Sequence, residues 1–138
     1  MKENDGRWTA GAHHVGLTVP ALEPALHFFE EGLGFARVGE VPDYPAAFVS
    51  DGSVMITLWQ AENGAEALPF DRRRNLGLHH LAITVAEDRL DALHARLLAR
   101  KDVEVEFPPE SLGGGATRHM MTRIPGQLRV EFIAPAQG

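Results

Sequence analysis

Two short segments of this chain place a histidine pair at the head of a β-branched apolar run: HHVGLTV at 13–19 and HHLAITV at 79–85. A third run, LRVEF at 128–132, carries Glu131. Imidazole nitrogen and carboxylate oxygen are donors that a divalent transition-metal ion accepts. A single histidine in a strand is ordinary, and two histidines with one carboxylate also arise by coincidence on surfaces. The repetition is what singles these residues out, because each histidine is followed on its own face by small side chains: Gly16 and Thr18 after His14, Ala82 and Thr84 after His80. Small residues on a strand face leave room for something else to sit there.

Side chains alternate along a strand, so the elements that position these residues can be read from period two. Val15, Leu17 and Val19 share one face of the first run, and His14, Gly16 and Thr18 the other. Leu81, Ile83 and Val85 oppose His80, Ala82 and Thr84 in the second. The same alternation opposes Leu128, Val130 and Phe132 to Arg129, Glu131 and Ile133, and Val54, Ile56 and Leu58 to Met55, Thr57 and Trp59. Thr57 thus occupies the place that mirrors Glu131. His13 and His79, one residue earlier than His14 and His80, are expected to point the opposite way.

Each histidine run precedes a helical pattern: Leu22, Leu26, Phe29 and Leu33, then Leu90, Leu93 and Leu97. Pro24 stands near the first helix start, and Gly32 and Gly34 end that helix. Strand-like stretches follow at 35–41, 46–50 and 53–60, and again at 103–107, about 116–124 and 128–134. Asp51-Gly52 and Pro125-Gly126 supply turns. The order is βαβββ written twice: a first module at about 11–60, a linker at 61–77 and a second module at about 78–135. Phe28 and Phe29 read as core and dimer contacts rather than cofactor contacts.

The 138 residues are the usual size of one domain, and 44% are apolar, enough to bury a core. The formal net charge of −6 makes nucleic acid an unsuitable partner. The chain has no cysteine, which excludes disulfides, thiolate zinc sites and a cysteine nucleophile. Residues 1–12 lack the apolar stretch of a signal peptide, and no apolar run approaches the ~18–20 residues that cross a bilayer. A cytoplasmic protein with no membrane partner is the expectation.

The pattern H-x-x-L-x-V from His14, the helix ALHFFEEGLGF, H-x-x-I-x-V from His80 and PGQLRVEF ending on Glu131 and Phe132 together resemble the vicinal oxygen chelate superfamily, the glyoxalase, bleomycin-resistance and extradiol-dioxygenase group. The resemblance covers about residues 11–135. It implies an α+β fold in which two βαβββ modules form a curved mixed sheet around a metal-binding cup. It implies that His14, His80 and Glu131 hold one divalent ion (Fe, Mn, Zn, Ni or Co), with Glu131 also catalytic. The fourth ligand position, a glutamate in glyoxalase I, is Thr57 here, which argues against ordinary glyoxalase I activity. Extradiol enzymes carry a tyrosine shortly before the last glutamate, whereas Met121, Thr122 and Arg123 fill that stretch here.

Two histidines and one carboxylate leave open positions on a metal for a small substrate with adjacent oxygens, as in lyase, dioxygenase or transferase chemistry. The alternative is a non-catalytic small-molecule or antibiotic-binding protein of the bleomycin-resistance type. Met55, Thr57 and Trp59 are expected to line the cup, Arg129 to meet a substrate anion, and His119 to act as an acid/base or supporting group. Arg72-Arg73-Arg74 reads as a solvated linker run. A homodimer is expected, its sites assembled either within a chain or across chains.

Overall fold

The computed structural model describes residues 6–137. The first module begins with β1 (His14–Val19), whose alternation is realised as expected: Leu17 and Val19 are buried, and His14, Gly16 and Thr18 are exposed. Helix α1 (Leu22–His27) follows and widens into one π-helical stretch, Phe28–Gly32, closed by Leu33 N–H donating to Phe28 O at 3.1 Å. The wider turn lets consecutive rings share the core. Phe28 and Phe29 are fully buried and meet edge to face at 5.6 Å, so both are core residues of this chain rather than dimer contacts. Three strands complete the module: β2 (Ala36–Val41), β3 (Ala46–Ser50) and β4 (Met55–Gln60). The Asp51-Gly52 turn forms as expected, with Asp51 Oδ1 accepting the Ser53 and Val54 N–H groups.

The second module repeats this plan with β5 (Leu81–Thr84), α2 (Leu90–Leu98), β6 (Glu104–Ser111), β7 (Arg118–Ile124) and β8 (Leu128–Ala134). The two four-stranded mixed sheets have matching orders, β1-β4-β3-β2 and β5-β8-β7-β6. In each, the first strand runs parallel to the last, because the helix carries the chain back across the sheet. His80 lies just before β5 rather than inside it, and β6 runs four residues beyond the expected end.

One hydrophobic cluster joins the helix sides of both sheets, with Leu26, Phe29, Ile56 and Leu58 from one half and Leu90, Leu97, Val130 and Phe132 from the other. Arg96 ties α2 to the end of the π-helical stretch, donating to Gly32 O (2.9 Å) and Glu31 O (2.7 Å). Arg100 lies over the Phe28 ring at 6.0 Å. The linker contains one 3-10 turn, Gly64–Glu66, pressed against the loop after β1.

Candidate active site

β4 and β8 are interior strands of their sheets, so side chains on their open faces are flanked on both sides. Register makes the two faces comparable residue by residue. Gly16 stands opposite Thr57 in the first sheet, and Ala82 opposite Glu131 in the second. Thr57 and Glu131 are therefore the same place in the repeat, and both are buried polar residues.

Around Glu131 a connected group forms. His119, from β7, donates its Nδ1–H to Glu131 Oε2 at 2.6 Å. His80 Nε2 stands 3.1 Å from the other oxygen, Oε1. His80 Nδ1 in turn meets His79 Nδ1 at 2.8 Å. Rigidity comes from the low exposure of Glu131 and His119 side chains, 11% and 13%, and from Phe107 against the His119 ring at 5.1 Å. Because Nδ1 of His119 is committed to Glu131, Nε2 is the nitrogen left to take a proton.

Arg129 lies two residues before Glu131 on the same face, but it is not a free anion receptor. It donates to Glu106 Oε1 at 3.0 Å, and Arg123 donates to Glu106 Oε2 at 2.6 Å. Hydrogen bonding from Arg129, then Arg123, outweighs the opposing effect of burial and lowers the Glu106 carboxyl to about 2. Arg123 and Arg129 also line a groove of about 690 Å³ with Arg72, His79 and Gly16–Thr18. Partial desolvation, then the charges of His80, Arg129 and Arg72, hold the His79 imidazole below its ordinary range. Arg73 and Arg74 are exposed on the linker, as expected of a solvated run.

The first module's face differs. Thr57 Oγ1 accepts the Trp59 indole N–H at 2.9 Å, so both groups are already engaged with each other. Trp59 is flanked by Tyr44 at 4.8 Å and Phe48 at 5.7 Å between ring centres. Met55 is half-buried at the start of β4, opposite His14. His14 is exposed and touches His13, Nδ1 to Nδ1 at 2.9 Å. The expected divergence of His13 and His79 from their neighbours is corrected here. Both precede the extended strand residues, so strict alternation does not govern them, and each pair meets edge to face at 5.2 and 5.1 Å.

The chain thus brings His80, His119 and Glu131 together and leaves His14 on the other sheet. Among the described residues of one chain, no three His, Asp or Glu side chains converge in a geometry that holds a metal. The His80–Glu131 pair nonetheless fits a shared ion. Two cis ligands with bonds of about 2.1 Å stand about 3 Å apart, and the separation found is 3.1 Å. His119 stands outside the repeated histidine runs and is not singled out by their pattern. Only the β7–β8 register, which sets Met121 opposite Glu131 and His119 two places along on the same face, reveals its contact.

A family profile described as the Glyoxalase/Bleomycin resistance protein/Dioxygenase superfamily matches residues 11–132. The chain belongs to this superfamily. Solved structures of similar fold include a glyoxylase/bleomycin resistance protein/dioxygenase domain from Frankia sp. EAN1pec, 25% identical with a TM-score of 0.78, covering 94% of this chain and 95% of that one. A lactoylglutathione lyase from Agrobacterium tumefaciens is 20% identical, with a TM-score of 0.71 and coverage of 93% and 96%. The fosfomycin resistance protein FosX from Listeria monocytogenes is 16% identical, with a TM-score of 0.72 and coverage of 93% and 95%. No curated protein sequence matches this one. No helix of the described residues is long and apolar enough to cross a membrane.

Proposed function

We propose that this superfamily member is a divalent-metal-dependent enzyme acting on a small substrate with adjacent oxygens, by lyase, dioxygenase or transferase chemistry other than that of ordinary glyoxalase I. The observation that carries this reading is the His80–Glu131–His119 group, a buried carboxylate held between two imidazoles on an open sheet face. His80 and Glu131 would hold the ion together with His14 from a second copy of the chain, since His14 does not reach them within one chain. An ion held there would supply Lewis-acid chemistry toward paired substrate oxygens. His119 orients Glu131 by its Nδ1–H and keeps Nε2 as a proton acceptor.

Glyoxalase I chemistry resembles a site with a second carboxylate able to take a carbon-bound proton. That place is filled by Thr57, whose hydroxyl is buried and bonded to Trp59. A hydroxyl does not accept such a proton near neutral pH. A cytoplasmic homodimer without nucleic-acid or membrane partners is part of this reading.

Metal content of protein purified without chelators tests it. His14→Ala, His80→Ala and Glu131→Ala should each lose most of the bound ion, because each removes one of three protein ligands. Reconstituted protein should form no appreciable lactoylglutathione. Wild-type metal content in all three variants overturns the assignment, and absence of any divalent-ion uptake by the wild type favours the non-catalytic binding protein.

A further inference from the structure

Asn63 and Asn75 are the asparagines of the described residues, and only Asn63 is followed by glycine. The pair stands at the head of the linker's 3-10 turn, Gly64–Glu66. In an asparagine the side-chain carbonyl carbon can reach the backbone nitrogen of the next residue, and closure makes a five-membered imide. Glycine in second place removes the main steric obstacle to closure, since it has no Cβ. Whether such a pair reacts in a folded chain then depends on whether both groups are uncommitted.

At this position they are. Asn63 is exposed, and no hydrogen bond among the described residues engages its side chain or the Gly64 N–H. Its backbone lies at φ 51° and ψ 53°, the left-handed region, so the residue's own preference does not oppose rotation toward closure. Two comparable positions are committed. Asn75 Oδ1 accepts the Asp71 N–H at 2.6 Å, and Leu76 follows it. Asp51 precedes Gly52, but its Oδ1 accepts the Ser53 and Val54 N–H groups, and the Gly52 N–H donates to Ser50 Oγ at 3.0 Å.

The chain is pinned on both sides of Asn63. Before it, Ala61 N–H donates to Val19 O and Leu22 N–H to Gln60 Oε1, both at 2.8 Å. After it, Gly64 lies against the Pro20 backbone. A change in main-chain length between these points cannot be absorbed without moving the turn.

We propose that Asn63 is a self-modifying site, where spontaneous deamidation loosens the linker turn from the end of β1. The Gly64 nitrogen gives its proton to solvent base and bonds to Asn63 Cγ. The Cγ–Nδ2 bond breaks, and Nδ2 takes up a proton and leaves as ammonia. Water then opens the imide at one carbonyl or the other, giving aspartate or isoaspartate. One water is consumed and one ammonia released, with no change of oxidation state. Both products add a carboxylate, and isoaspartate also adds a methylene to the main chain just before Gly64. The step needs no bound ion and does not depend on the metal-site reading.

The test ages native protein and urea-unfolded protein side by side in mildly alkaline buffer. Trypsin then places Asn63 in the fragment 38–72 and Asn75 in 75–89. Mass spectrometry of the native sample should show NH2 replaced by OH at residue 63, increasing with time and faster at higher pH, while Asn75 stays intact. Asn63→Gln, whose ring closure is slower, should lose the signal. In the aged native fraction the Glu66 and Ala67 amides, which donate to Asn63 O at 2.8 Å and Gly64 O at 3.2 Å, should exchange about tenfold faster. Asn63 that survives in native protein but not in urea would show that the turn shields it, and equal loss at Asn75 would show no selection; either overturns the site. Unchanged amide exchange in the deamidated fraction overturns the loosening of the turn.

Discussion

At the residue scale, Glu106 shows how a single carboxylate can hold a site wall. It binds Arg129 and Arg123 together, and their hydrogen bonds depress its carboxyl to about 2, against an ordinary value of 4.5. A depressed acid stabilises the fold above its unfolded pKa and loses that contribution as pH falls through the folded one. Glu106→Gln should therefore cost about 2 kcal/mol at neutral pH, allowing for solvent screening around the more exposed Arg123. The difference from wild type should shrink between about pH 4.5 and about pH 2. Urea titrations across that range measure it, and a difference independent of pH would contradict the pairing. His119 makes a sharper functional prediction. His119→Ala removes the partner that orients Glu131 and should lower metal affinity about 10–100-fold. Thr57→Ala, already outside the donor set through its bond to Trp59, should change affinity by less than about threefold. Competition with a fluorescent chelator reads both, and equal losses would mean that Thr57 is a ligand after all.

At the element scale, helices and strands follow local pattern, but their junctions depend on close contact. The 3-10 turn of the linker is set against the loop after β1 so tightly that a Cβ on Gly64 would overlap the Pro20 carbonyl oxygen. Backbone cannot yield as a flexible side chain does, so Gly64→Ala must displace the turn. A cost of about 1–3 kcal/mol in chemical denaturation is expected. Gly115→Ala, whose Cβ would meet only the Leu112 carbonyl oxygen at an ordinary 3.6 Å, should cost less than about 0.5 kcal/mol and serves as the control. Equal effects in the two variants would show that the linker does not rest on β1 in solution. The π-helical stretch belongs to this scale too. Alternation of Leu22, Leu26, Phe29 and Leu33 predicts a plain α-helix, whereas burying the adjacent Phe28 as well calls for the wider turn.

At the scale of the whole molecule, the open question of assembly becomes a test by mixing. One chain holds His80 and Glu131 together and His14 apart, so on the proposed reading a ligand set that includes His14 would need a second copy. A two-fold dimer that crosses its modules would make two such sites. Light scattering should show a dimer at micromolar concentration. His14→Ala and His80→Ala chains, each deficient alone, should recover metal when mixed and allowed to exchange. A crossed heterodimer carries one intact site and one with both defects. Random pairing makes half the dimers mixed, so roughly a quarter of all sites should be restored. No recovery at all would mean that every site belongs to a single chain.

The duplicated βαβββ order and the buried faces of β1, β4, β5 and β8 are legible in the chain alone. These depend on period and turn chemistry, which a chain carries locally, because burial on one face imposes alternation at every second residue. Tertiary structure alone decided which side chains meet. That His119 binds Glu131, that Arg129 is taken by Glu106, that Thr57 is taken by Trp59 and that His13 leans on His14 are matters of cross-strand register and rotamer. Such contacts join residues far apart in sequence or outside the alternating pattern. The separation of His14 from Glu131 was likewise hidden, because a repeat specifies two equivalent half-sites but not which copies of them face each other.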